Sequence, residues 1–529
     1  MPRSAKTPLF RALQRAMHIA ARTSNPSGPP ADEVMESIKE SRHVTRRDVL
    51  KLSLAASGLV LANALPIPSM SARKKTAPRI VIVGAGLAGL AASHRLRKAG
   101  MHSRIFEASG RSGGRVITGK NILGQGLTTE LGGEFIDTKH LEMFALRDDF
   151  HLKLIDLRSQ DPKLREHAYF IGGRHYSERE VIEAFQSILP AIIKDKSVLP
   201  DTVTAAMQLP PSVQVLDETS LAEYISTLAA PTWLQSLLIA AYTTEYGLDA
   251  SEQSAINFLS IIPSAIPDDH FPIFGESDER YRFEGGNQTL IDALHREAGG
   301  SIENDRTLES IRMKGKKIEL NFSTRVGSAD VLADFVILAL PFTMLREVKI
   351  DIPLPTLKKK AIAELGYGTN AKILAGFSSR PWEKAGFEGY TFTDQSFQTG
   401  WDNSRTQQSV SAGYTFFLAG KEGRFSNSGQ PIDHATKYLP ELDQAFAGSA
   451  QAFNGNAERF HWPSAPFVKG SYACYTPGQY TSIAGEEIKP VGNLFFAGEH
   501  CSTNFQGFMN GAAETGRVAA ENILSILGK

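Results

Sequence analysis

The chain has 529 residues, of which 42% are hydrophobic and 22% charged; this is a globular balance in a chain too long for one core, so two or more domains are expected. Lys+Arg and Asp+Glu both total 57, and a zero formal net charge excludes nucleic-acid binding driven by overall charge. The sequence shows no zinc-ligand spacing, no Walker loop and no internal repeat.

Residues 1–78 read as an extension outside the fold. The first 30 carry five basic residues and no acid, and Pro26 to Pro30 is a cluster of helix breakers. Leu9 to Ala21 has the pattern of a short amphipathic helix. Thr45-Arg46-Arg47-Asp48-Val49-Leu50-Lys51 then precedes an apolar run from Leu52 to Leu65. This is the layout of a twin-arginine export signal, with 14 apolar residues, too few for a stable membrane span. Cleavage after Ala64 or after Ala72 fits equally well, and a basic linker before a buried helix is the alternative. The expectation is an exported protein, periplasmic or secreted, handed to the twin-arginine translocase.

The stretch Arg79 to Thr118 organises the rest of the chain. Ile80 to Val83 is a short apolar run, as in a strand buried on both faces. Gly84-Ala85-Gly86-Leu87-Ala88-Gly89 comes at once after it, and a helical pattern runs to about Ala99 before Gly100 stops it. A second strand, Arg104-Ile105-Phe106, is closed by Glu107, 23 positions after Gly84. Gly84 permits the tight turn, Gly86 the approach of a pyrophosphate, and Gly89 close packing of helix on sheet. The helix N-terminus offers free N–H groups to phosphates, and Glu107 stands where a ribose-binding acid is expected. This is a dinucleotide site, and the motif alone leaves NAD and FAD open.

Arg111-Ser112-Gly113-Gly114-Arg115 and Glu130-Leu131-Gly132-Gly133 come next. With them the chain resembles the flavin amine oxidases: monoamine, polyamine and L-amino-acid oxidases. The resemblance implies FAD, with Gly-Gly-Arg on its pyrophosphate and Leu-Gly-Gly toward the flavin. It covers about residues 79–528. The implied fold is α/β, a discontinuous Rossmann-like FAD-binding domain with an α+β substrate domain. FAD segments are expected at 79–145, 275–345 and 465–529, and substrate segments at 146–274, mostly helical, and 346–464. Besides Gly84, Gly86, Gly89 and Glu107, the resemblance implies FAD contacts from Leu87, Ala88, Ala108, Arg115, Leu131, Gly132, Gly133 and Leu308. Near the C-terminus it adds Glu499, Gly507, Phe508 and Met509.

Further along the chain, a helical pattern spans about Asp137 to Asp156, and Ala168 to Ile171 with Gly172-Gly173 suggests a hairpin. Thr307 to Val326 reads as paired strands, and Ala333 to Leu340 as a buried strand closed by Pro341. Strands are expected at Ala371 to Phe377, Ser411 to Leu418 and Asn493 to Ala497, with a closing helix that begins within Gly507 to Gly516.

Three positions carry the implied chemistry. Lys349 precedes Pro353-Leu354-Pro355, where the family holds a lysine bonded through water to flavin N5; on pattern alone it reads as a solvent-facing lysine. Cys474-Tyr475 matches a Cys-Tyr pair that gives monoamine oxidases a flavin thioether and one wall of an aromatic cage, with Phe508 as the other wall. Non-covalent FAD is expected, with a bond to Cys474 as the alternative. Asp137 matches an acid near the amine tail of polyamine oxidases, or is a helix N-cap. No metal is expected. Cys474 and Cys501 are the two cysteines; both fall in segments implied to touch flavin, and no disulfide is expected.

The implied reaction is oxidative deamination of a small-molecule amine: hydride passes to flavin N5, O2 becomes H2O2, and the imine hydrolyses to aldehyde and ammonia. The alternatives are an L-amino-acid oxidase, a tryptophan 2-monooxygenase-like enzyme, and a catalytically silent FAD-binding protein. No Arg stands at 134–140 to hold a substrate carboxylate, which weighs against amino acids. Replacing both Arg46 and Arg47 by Lys is expected to trap the protein in the cytoplasm, as scored by activity in periplasmic extracts; undiminished periplasmic activity would refute the twin-arginine reading.

Overall fold

A computed structural model describes residues 77–158, 161, 163–267 and 270–529. The export segment and both cleavage positions lie outside the described residues. Ile80–Val83 forms the centre of a five-stranded parallel sheet. Its strand order is Leu494–Phe496, Phe335–Leu338, Ile80–Val83, Ser103–Phe106, Ile302–Glu303. Three distant stretches of sequence therefore meet in one sheet. Every residue of Ile80–Val83 and of Phe335–Leu338 is buried, as continuous apolar runs require of strands covered on both faces.

The pleat divides these residues between two cores. Ile80, Ile82, Ile105 and Ile337 face the helices Leu87–Lys98 and Met509–Ile526. Val81, Val83, Val336 and Leu338 face Leu308, Leu320 and Phe322. The latter three belong to a four-stranded sheet, ordered Gly327–Ala333, Lys317–Thr324, Thr307–Lys314, Lys349–Asp351. The two helices cross closely, because Gly516 lies against the backbone of Ala88 and a side chain there would collide with the Ala88 carbonyl.

A seven-stranded sheet forms the second layer system. Its order is Phe453–His461, Ala371–Phe377, Ala412–Leu418, Thr399–Asp402, Phe387–Thr393, Arg165–Ile171, Arg174–Tyr176. Against one side pack helices from the stretch 178–261, with Phe185, Leu237, Leu238 and Phe258 in their shared core. Against the other packs Pro431–Ala445, which buries Tyr438 and Leu442. No helix among the described residues is long and apolar enough to cross a membrane.

Two local expectations differ from the structure. The helix expected over 137–156 is confined to Leu141–Asp149, and Leu154–Asp156 is instead a strand paired with Tyr281–Phe283. His151 lies in the left-handed region at φ 52°, which ends the helical path, and the strand depends on a partner remote in sequence. The hairpin at Thr307 to Val326 gains a third strand, Gly327–Ala333, whose exposed polar half gives little apolar signal.

Candidate active site

A cavity of about 880 Å³ runs from the C-terminal end of the parallel sheet toward the seven-stranded sheet. At the sheet end its wall includes Gly84, Gly86, Leu87, Ala88, Glu107, Ala108, Arg115, Gly132, Gly133, Leu308, Glu499, Gly507, Phe508 and Met509. Two of the expected contact residues are not on the wall. Gly89 packs beneath it, where a Cβ would collide with the Gly84 carbonyl, as close helix packing requires. Leu131 is tied down by its backbone, its N–H donating to the Ile117 carbonyl and its carbonyl accepting from Trp462 Nε1 at 3.2 Å.

The wall fits a dinucleotide. The helix Leu87–Lys98 begins at Gly86 with no side-chain cap and no acid in its first turn, so its N-terminal N–H groups face the cleft without a side-chain partner. Gly86 and Gly114 face each other there, and a Cβ on Gly114 would crowd the Gly86 Cα at 3.3 Å. Gly84, at φ 101°, makes the turn that a side chain would hinder. Glu107 is buried, its carboxylate accepting from the Ala85 N–H at 2.7 Å and from the Ser109 N–H and hydroxyl at 2.9 and 2.7 Å.

Arg115 fastens the far side. Its guanidinium donates to Glu499 at 2.8 Å and to the Ser471 carbonyl at 2.6 Å. Glu499 in turn accepts from the Gly507 N–H at 2.9 Å and from the Ala473 N–H. Four separate stretches are joined at this point.

The aromatic wall corrects the expectation drawn from Cys474-Tyr475. Tyr475 is not on the cavity wall: its hydroxyl donates to Glu487 at 2.9 Å and its ring packs on Tyr480. Cys474 is fully buried away from the cavity, near the Asn257 amide, and burial pushes its thiol up. The wall residues of this segment are Ser471, Tyr472 and Ala473. Tyr472 stands within 3.9 Å of a Cβ built on Gly507, beside Phe508. Its hydroxyl donates to the Thr244 carbonyl at 2.6 Å. The two tyrosines stand three positions apart in an irregular segment, and Tyr475 turns away from the wall into the core that also holds Tyr480 and Ile483. Cys501 is likewise buried off the cavity, and neither cysteine is in a disulfide.

Lys349 is also corrected. It lies on the edge strand Lys349–Asp351, 75% exposed, paired with Asp351 at 3.3 Å, and off the cavity. The lysine on the wall is Lys372, from the fully buried strand Ala371–Phe377. Its ammonium donates to the carbonyls of Glu130 and Gly132, each at 3.0 Å, and to Glu134 at 2.7 Å, and it sits 5.3 Å from the Trp401 ring. A cation in an otherwise apolar strand was the available signal.

Asp137 is buried behind the wall. Its carboxylate accepts from the Glu279 N–H at 3.0 Å, and burial raises it to about 6. Neighbouring His140, which accepts from the Asp137 N–H at 2.9 Å, is pushed down to about 3 by burial. Glu245 and Glu279, which no sequence motif marks, do reach the wall, with Tyr246, Tyr390 and Trp401.

A family model described as flavin containing amine oxidoreductase matches residues 87–524. The chain belongs to that family. Family membership implies a flavin cofactor, which the dinucleotide-facing wall fits. A flavin-containing amine oxidase of Danio rerio is 22% identical over 465 residues, which cover 85% of this chain and 86% of that protein. An L-amino acid dehydrogenase of Synechocystis is 24% identical, covering 84% of this chain and 95% of its own. In fold, the chain is similar to cyclohexylamine oxidase from Brevibacterium oxydans, with a TM-score of 0.75, 19% identity, and coverage of 86% of this chain and 100% of that one. Putrescine oxidase is similar too, with a TM-score of 0.72, 19% identity, and coverage of 85% and 99%.

Glu499→Gln removes the charge that holds Arg115 and leaves a guanidinium poorly paired. The expected result is a loss of about 2–4 kcal/mol of stability and a lower flavin-to-protein absorbance ratio after dialysis; a variant that retains full flavin and the wild-type Tm would show that the pair is dispensable.

Proposed function

We propose that this chain oxidises a primary amine with non-covalently held FAD, dioxygen being the electron acceptor. The observation that carries the reading is the juxtaposition of Tyr472, Phe508 and Lys372 on one cavity whose other end fits a dinucleotide. Held there by the glycine turn, Glu107 and Arg115, FAD would supply an acceptor for a hydride from the amine α-carbon and a route for its two electrons to O2, giving H2O2. Water then hydrolyses the imine to aldehyde and ammonia.

The side chains supply the rest. Tyr472 and Phe508 form a slot for an un-ionised amine and exclude water from it. The Tyr472 hydroxyl is engaged by the Thr244 carbonyl, which fixes the ring. Lys372 takes the role that the resemblance assigned to Lys349: it is the wall's ammonium, and it also ties the turn at Glu130 to Gly132 to the seven-stranded sheet. Non-covalent FAD accords with the burial of both sulfurs away from the cavity, with Ser471 on the wall in this segment. The relatives named as an amine oxidase, a cyclohexylamine oxidase and a putrescine oxidase support an amine. The relative named as an L-amino acid dehydrogenase keeps an amino acid as the second reading. Export through Arg46-Arg47 belongs to the same proposal.

A peroxide assay over amines and L-amino acids tests the reading, with Lys372→Met and Lys349→Met as paired variants. Peroxide should form from amines. Lys372→Met should lower kcat by at least about 10-fold, whereas Lys349→Met stays within about twofold. Peroxide from amino acids alone, or a greater loss in Lys349→Met, would contradict it.

A further inference from the structure

Tyr472 is the slot ring with a polar tip, and that tip is held from two sides. Its hydroxyl donates to the Thr244 carbonyl at 2.6 Å. Thr244 stands in the last turn of the helix Thr232–Tyr246, where carbonyls have no helical N–H ahead of them and carry the negative end of the helix dipole. The same carbonyl accepts a second bond, from the Asn370 amide at 2.9 Å. That amide also acts as a donor toward the Tyr472 hydroxyl, opposing the burial that raises the phenol well above its usual range. Hydroxyl, carbonyl and amide thus meet in one closed set of hydrogen bonds at the cavity wall.

Asn370 is itself fixed. It is 1% exposed, and its Oδ1 accepts from the Ser471 hydroxyl at 2.5 Å. Its backbone N–H donates back to the Ser471 Oγ at 3.4 Å. The Thr244 carbonyl decides which way the carboxamide faces, because a flipped amide would turn oxygen toward oxygen. Gly247 and Gly368 press on this pair from behind: a Cβ on either would collide with Asn370 Oδ1 or Ser471 Oγ. The backbone of the ring segment is joined to the same turn. The Gly368 N–H donates to the Tyr472 carbonyl at 2.8 Å, and the Ser471 N–H to the Gly368 carbonyl at 2.8 Å.

A tyrosine side chain turns about two bonds, so one hydrogen bond at its tip leaves the ring free to pivot about that bond. A second partner at the tip removes the pivot. Reacting groups misplaced by about 1 Å can lose about 100-fold in rate, so the angle of a slot wall matters to the chemistry. Asn370 stands two positions before Lys372, and both reach the wall from the start of the strand Ala371–Phe377. One strand start therefore places the wall ammonium and steadies the ring.

We propose that Asn370 is a positioning residue for amine oxidation: it holds the Tyr472 ring at the angle that closes the slot against Phe508. It acts through the Tyr472 hydroxyl and the Thr244 carbonyl, without touching the reacting atoms. This rests on the amine-oxidation reading and adds to it the group that sets the geometry of the slot. An amide that only capped the helix Thr232–Tyr246 would serve folding and leave the ring indifferent to its loss.

The experiment is a double-mutant cycle on the flavin-replete full chain, with Asn370→Ala, Tyr472→Phe and the two combined. The rate of anaerobic flavin reduction by an amine is measured per bound flavin, beside flavin content and Tm. Each single change should slow reduction by about 5–20-fold, and the double variant should stay within about twofold of the slower single one, since both changes remove the same support. Asn370→Asp, nearly the same shape without the two side-chain N–H donors, should match Asn370→Ala and replaces it in the cycle if the alanine variant fails to fold. Losses that multiply in the double variant overturn the proposal and leave amine oxidation standing. Asn370 variants that lower only Tm and flavin content, with the rate per flavin within about twofold of wild type, overturn it in the same way. Bound flavin in the wild type that no amine reduces overturns both.

Discussion

The bond between Arg115 and Glu499 is the constraint on which the site depends. The two residues lie 384 positions apart and meet at 2.8 Å. Arg115 also takes the Ser471 carbonyl, and Glu499 takes the N–H groups of Ala473 and Gly507. One charge pair thus sets the relative place of the Gly-Gly-Arg loop, the Tyr472 segment, the strand Leu494–Phe496 that leads into Glu499, and the turn before the last helix. Half-buried ion pairs contribute modestly to net stability, yet leaving one partner alone is expensive. The value of this pair lies in registration: it places a ring wall and a dinucleotide cleft on one cavity.

The same economy recurs around Lys372. A single ammonium on a strand of the seven-stranded sheet reaches back to the carbonyls of Glu130 and Gly132 and to the Glu134 carboxylate. That strand and that turn come from different parts of the fold, and their union is what allows a discontinuous domain to share one site with its neighbour. The acid of the ion pair, Glu134, is also a wall carboxylate with a protein cation of its own.

Much of the architecture was legible in the sequence because it is local. The run Ile80 to Val83, the three glycines after it and the acid Glu107 lie within 28 residues and form one βαβ unit. The strands at Phe335–Leu338 and Leu494–Phe496 are continuous apolar runs, which announce a doubly covered sheet wherever they fall. The site was less legible because it depends on register and on remote partners. Tyr472 and Tyr475 stand three residues apart in one short segment, and spacing alone does not say which faces the cavity. Lys349 sits before a recognisable Pro-Leu-Pro, whereas Lys372 is marked by burial, which emerges once Ala371–Phe377 is flanked by strands on both sides. Glu279 carries no local signal: its position depends on a hydrogen bond to Asp137, 142 residues earlier.

The central claim is that an amine loses hydride from its α-carbon inside the cavity lined by Tyr472, Phe508 and Lys372. The most direct test tracks the flavin absorbance of the purified protein in a single anaerobic turnover, with an amine carrying deuterium or protium at that carbon. The account predicts bleaching by the amine, slower with deuterium. Bound flavin that no amine bleaches, or bleaching by L-amino acids alone, would contradict it.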